Sequence, residues 1–75
     1  MDFTDHIVRN PTIMLGKPTI KGTRITVELI LRKFANGFAL NEILESYPHL
    51  TRDQIFAALG YAAEKMANEE VIEAH

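Results

Sequence analysis

Apolar periodicity changes once along the chain, near Thr26, and that switch constrains the fold more than any other feature. Before it lie short β-branched runs broken by glycine and proline. Ile7-Val8 is followed by an Asn10-Pro11 turn signal, and Thr12-Ile13-Met14-Leu15 reads as strand-competent. Gly16 permits positive φ, and Pro18 pushes Lys17 out of the helical region. Thr19-Ile20 and Arg24-Ile25-Thr26-Val27 are again β-rich, with Lys21-Gly22-Thr23 as the turn between them. Strands this short do not stand alone, so they pair with one another or with the same segment of a second chain.

After the switch the spacing is helical. Val27, Ile30, Leu31 and Phe34 recur at i, i+3, i+4 and i+7, with Thr26 as N-cap and Asn36-Gly37 as the stop. Leu40, Ile43, Leu44 and Tyr47 stripe a short second helix closed by Pro48. Ala39 offers no side-chain acceptor at its start, so Asn41 is the expected cap one turn late. The third helix has the clearest start. Thr51-Arg52-Asp53-Gln54 is a capping box, flanked by Leu50 and Ile55 as a hydrophobic staple. Ile55, Leu59, Ala62 and Met66 form its expected buried stripe, with Ala58 and Ala63 beside it. Asn68 is placed to cap a last short turn over 69–73, in which Val71 and Ile72 fall off the stripe. Two helices around a Tyr47-Pro48-His49-Leu50 turn, braced by a preceding helix, follow the helix-turn-helix plan, a plan that also occurs in folds that never touch DNA.

A chain of 75 residues is one domain, 1–75, divided into an extended front (6–25) and a helical core (26–75). So small a core supplies only about 3–5 kcal/mol. With no cysteine there are no disulfides, and His6, His49 and His75 lack metal-ligand spacing, which leaves oligomerisation as the expected stabiliser. No metal or other cofactor is expected. No apolar run approaches a membrane span, and the acidic N-terminus lacks the layout of a signal peptide, so the cytoplasm is the expected location. Residues 1–33 hold six basic side chains against three acidic, and residues 34–75 hold two against seven. A basic front and an acidic back suit a partner of one-sided charge, self-pairing, or simply an unevenly charged solvated surface.

The string Gly16-Lys17-Pro18-Thr19-Ile20-Lys21-Gly22-Thr23-Arg24-Ile25-Thr26-Val27 resembles the signature of the domain of unknown function 433 family. Gly37, the stretch from Glu42-Ile43-Leu44 to Tyr47-Pro48-His49-Leu50-Thr51, and Ala57-Ala58-Leu59-Gly60-Tyr61-Ala62 extend the likeness over residues 7–72. Two positions depart from the pattern: Leu15 stands where the family has the first of two glycines, and Ala39 where it has a serine or threonine cap. The resemblance implies a mainly α, homeodomain-like fold, a three- or four-helix helix-turn-helix core with short N-terminal strands. It also implies dimerisation through the front and a relation to VapB-type antitoxins, whose genes often lie beside a PIN-like ribonuclease. It carries over no catalytic residue.

The residues themselves argue for binding. A Walker A loop needs glycine and serine or threonine where Pro11 and Pro18 sit. Ser46 is the lone serine, without triad context, and Glu42 and Glu45 read as a solvated helix face, so no enzyme and no small-molecule substrate are expected. In a helix-turn-helix the first residues of the third helix read the major groove, which nominates Arg52 and Gln54 for base edges, although Asp53 and Glu64 repel phosphate. Phosphate contacts would fall to Lys17, Lys21, Arg24, Arg32 and Lys33. Arg24 is expected to pair with an acidic residue of the third helix or of a second subunit, with phosphate as the alternative. Glu69, Glu70, Val71 and Ile72 form an acidic, apolar-centred segment suited to a basic groove. Met14-Leu15 and the small-residue face of the third helix are the candidate dimer surfaces. The expectation is an antitoxin-like homodimer that binds a PIN-like ribonuclease and operator DNA. The alternative is a protein-interaction or self-association module that leaves DNA alone.

Overall fold

The computed structural model describes residues 3–69. Two short strands, β1 (Ile7–Arg9) and β2 (Pro18–Ile20), precede three helices, α1 (Val27–Ala35), α2 (Leu40–Ser46) and α3 (Arg52–Glu69). The fold is mainly α with a small N-terminal sheet. The strands pair antiparallel within the chain, Ile7 opposite Ile20 and Arg9 opposite Pro18. Proline is tolerated there because it opens its strand. The third β-rich run contributes less than expected, only a bridge from Thr26 to Thr19 and a bond from the Ile20 N–H to the Ile25 carbonyl. Thr26 ends the extended run because its side chain turns to cap α1, accepting from the Leu29 N–H at 3.0 Å.

The Thr12–Leu15 run is not a strand. The Asn10 side-chain oxygen accepts from both the N–H and the hydroxyl of Thr12 (2.9 and 2.8 Å), which bends the chain at once. Met14, Leu15 and Gly16 then take consecutive positive φ values of 50°, 60° and 81°. The Gly16 N–H donates to the Ile13 carbonyl and the Lys17 N–H to the Met14 carbonyl. The Arg9 guanidinium donates to the Gly16 carbonyl at 2.9 Å and closes the loop onto β1. Leu15 thus takes a left-handed backbone conformation that glycine adopts more readily. The 21–23 turn forms as the spacing predicts, locked by the Thr23 hydroxyl, which donates to the Ile20 carbonyl (2.7 Å) and accepts from the Ile25 N–H (2.9 Å).

The helix ends follow local chemistry. Gly37, at φ +94°, terminates α1, a conformation that costs glycine little. Helix α2 starts at Ala39, without help from Asn41: the Glu42 carboxylate reaches back to the Ala39 N–H at 2.7 Å. Helix α3 opens on the full capping box, Thr51 N–H to the Gln54 side-chain oxygen at 2.8 Å and Gln54 N–H to the Thr51 hydroxyl at 3.2 Å. Asn68, the expected cap, lies inside α3, which runs through Glu69. The turn expected over 69–73 otherwise lies outside the described residues.

One core joins the two halves. Ile7, Ile20, Val27, Ile30, Ile43, Leu50, Ile55, Ala57 and Ala58 are buried, with Phe34, Leu44 and Tyr61 packed against them. Phe3 meets Tyr61 edge-on, 5.4 Å between ring centroids, which fastens the N-terminal segment to α3. The stripe predicted for α3 holds at Ile55 and Ala58 and fails at Met66, which is 67% exposed. The cause is length. Nine residues make α1 about 14 Å long while eighteen make α3 about 27 Å, so the last turns of α3 outrun the helix beneath them.

Candidate interaction surfaces

Glu28, in the first turn of α1, organises the basic front. Its carboxylate takes Lys17 Nζ at 3.2 Å on one oxygen and the Arg32 guanidinium at 3.1 Å on the other. The hydrogen bond from Lys17, then that from Arg32, and the two positive charges hold its pKa below the usual carboxylate range. Two of the candidate phosphate contacts are therefore already partnered within the chain. Lys33 lies over the Phe38 ring, 4.7 Å from its centroid. Lys21, Arg24 and Arg52 are exposed and have no carboxylate partner among the described residues. The expected pairing of Arg24 with an acidic residue of α3 is absent among the described residues, and Arg24 is exposed.

The start of α3 presents Arg52, Asp53 and Phe56 outward, and Phe56 is 40% exposed. The Gln54 carboxamide is engaged through its oxygen in the capping box, which ties its position to helix integrity. Arg52 and Lys65 are separated by about 20 Å along α3. Lys17 belongs to the far end, where it lines a groove together with Lys65. The sequence-nominated basic residues thus divide between surfaces. Glu69 ends α3, and Glu70, Val71 and Ile72 lie outside the described residues.

Sequence reasoning missed the groove itself. It is an open cleft of about 300 Å³ between α1 and the overhanging part of α3, with Val27, Leu31, Ala62 and Met66 inside and Lys17, Glu28 and Lys65 at the rim. Lys65 also lies over the Tyr61 ring, 5.7 Å from its centroid. Its lining surface is almost wholly apolar, so it suits an occupant chosen by shape and apolarity. The signal in the sequence is the unequal length of the two stripes: four apolar positions in α1 cannot cover one that extends to Met66. Leu15, 91% exposed, lines a different cleft with Arg9, Pro11 and Gly16. Among the described residues no group of three or more histidines and carboxylates could hold a metal ion, and Ser46 donates to the Glu42 carbonyl as a helix residue.

A family model described as "Protein of unknown function (DUF433)" matches residues 7–62. A crystal structure of a DUF433 member protein from Anabaena variabilis ATCC 29413 superposes with a TM-score of 0.77 and 29% sequence identity, covering 88% of this chain and 68% of that one. No protein of curated function matches the chain.

Proposed function

The chain belongs to the DUF433 family, and from that premise we propose that it is a binding module of antitoxin type, a cytoplasmic protein without catalysis of its own that neutralises a PIN-like ribonuclease by covering it. The observation that carries this reading is apolar exposure. Met14, Leu15, Leu31, Phe56 and Met66 all stand in solvent on a chain of 75 residues. Of these, Leu31 and Met66 line one continuous apolar cleft with Val27 and Ala62, and contiguous apolar surface is what other protein covers. The front's basic residues support protein contact as well, since Lys17 and Arg32 spend their charge on Glu28.

The test is capture of tagged full-length chain from nuclease-treated native lysate, followed by ribonuclease assay of the captured material. A small PIN-like nuclease in near-equal amount, inactive until the chain is stripped away, is the expected result. Recovery of the chain alone at every salt concentration would refute the proposal. Truncation before Glu69 is expected to weaken capture while leaving the helical content of 3–68 in place.

Operator DNA is the second reading, favoured by Lys21, Arg24 and Arg52, whose charges have no partner among the described residues. The triple alanine variant at these positions should flatten the salt dependence of binding to the chain's own upstream DNA, by about 0.9 in log–log slope for each phosphate that is no longer neutralised. An unchanged slope removes this surface from consideration.

A further inference from the structure

We propose that Asn36 is a site of self-modification, at which the Gly37 nitrogen converts the asparagine to aspartate and isoaspartate, and that the C-terminal cap of α1 sets the rate. Of the four asparagines, Asn36 alone is followed by glycine. Asn10 precedes Pro11, which has no N–H to lose. Asn41 and Asn68 precede glutamates, whose side chains crowd the approach of the backbone nitrogen, and both lie within helices. Asn36 is instead the exposed residue that ends α1, and a Cβ built on Gly37 meets nothing within 4 Å, so the space around this peptide is open.

The conversion consumes water alone. Loss of the Gly37 amide proton to solvent frees its nitrogen to attack Cγ of Asn36. The N–Cγ bond forms, the bond from Cγ to the side-chain nitrogen breaks, and ammonia leaves after taking up a proton. The product is a five-membered succinimide. Water opens this ring at either carbonyl. Breaking the new N–Cγ bond restores the backbone with an aspartate, and breaking the original peptide bond leaves the chain routed through Cβ as isoaspartate. One amide and one water enter, and one carboxylic acid and one ammonia result.

The fold holds this chemistry back. The Gly37 N–H donates to the Phe34 carbonyl at 2.9 Å and the Phe38 N–H to the Lys33 carbonyl at 3.0 Å, the paired bonds of a Schellman cap. The proton that must leave is therefore engaged. Asn36 has ψ 8°, which eclipses the Gly37 nitrogen with the amide nitrogen of Asn36 itself and turns it away from the Cβ that carries the carboxamide. Lys33 lies over the Phe38 ring, 4.7 Å from its centroid, and ties down the residue after the turn. Attack thus waits for the cap to open, a local event that costs less than global unfolding because Asn36 and Gly37 are both exposed. Reclosing does not undo the change. A new carboxylate stands at the C-terminal end of α1, where the helix dipole disfavours negative charge. In the isoaspartate form an extra backbone atom separates residues 36 and 37, which puts the two cap bonds out of register. None of this requires a partner, so it stands or falls apart from the ribonuclease reading.

Peptide mapping by mass spectrometry tests it. The full chain is held at physiological temperature and mildly alkaline pH until the unit mass gain of amide to acid appears, beside a synthetic peptide of residues 34–40 and the full chain unfolded in urea. The gain is expected at Asn36 ahead of the other three asparagines. It should be slower in the folded chain than in the peptide or in urea by roughly tenfold or more, and the aged fraction should melt at a lower temperature. Asn36→Gln, whose side chain would have to close a larger ring, is expected to keep both its mass at that position and its melting temperature through the same incubation. Conversion of another asparagine first, or a rate in the folded chain equal to that of the peptide, would overturn the proposal.

Discussion

Leu15 carries a local cost that its surroundings must offset. A left-handed conformation costs an L-residue about 1–2 kcal/mol, and glycine at the same place gives back about 0.5–1 kcal/mol through its greater unfolded freedom. Leu15→Gly is therefore expected to raise the melting temperature of the dilute chain by a few degrees, about 4–8 °C per kcal/mol for a domain of this size. A lowered melting temperature under dilute conditions would mean that Leu15 packs within its own chain. Glu28 gives the second prediction at this scale. Its folded-state pKa is depressed by Lys17 and Arg32, so its contribution is present above the ordinary carboxylate pKa and is lost as pH falls through the depressed value. Thermal melts against pH should show a small loss on the acid side that Glu28→Gln abolishes. The effect is modest because the carboxylate is solvent-exposed and screened. Residue-level chemistry is legible in the sequence wherever one side chain answers one backbone group, as at Thr26, Gly37 and Thr51. At Thr12–Leu15 the β-branched and apolar composition suggests a strand, while the outcome is decided by Asn10 and by Arg9 reaching across seven residues.

Among the elements, α3 depends most on its beginning. Thr51 and Gln54 satisfy each other's amides, so Thr51→Ala should cost about 1 kcal/mol of stability, measurable by urea unfolding. Gln54→Ala should cost less, since it leaves the Thr51 acceptor in place. If Gln54 also reads DNA, its substitution changes affinity and helix stability together, and Thr51→Ala is the control that separates them. Helix α2 shows how far a missing cap can be covered: Ala39 contributes nothing, and Glu42 alone supplies the partner of the first amide. The helix boundaries are readable because caps are local. The exposure of Met66 is not, because it depends on the length of a different helix, and the division of the basic residues between surfaces depends on how the loop before β2 folds against α1. The partner segment at 69–72 lies almost wholly outside the described residues.

On the scale of the whole molecule the margin is narrow. A single small core links sheet and helices through fully buried Ile20, Ile30, Ile43 and Ile55. Truncating Ile30 or Ile55 to alanine costs about 2–5 kcal/mol in such positions, close to everything a core of this size supplies, so either variant should be largely unfolded at 25 °C by circular dichroism. The radius of gyration, 13.1 Å, exceeds the about 11 Å of a compact chain of this length, in keeping with an α3 that projects past the core. That projection has a consequence for lifetime. Helical turns with no tertiary cover open locally at low free energy, and proteases begin where a chain opens. An occupant of the groove clamps those turns shut, so residence in a complex and resistance to digestion become the same variable. The chain would then be cleared fastest when it is alone.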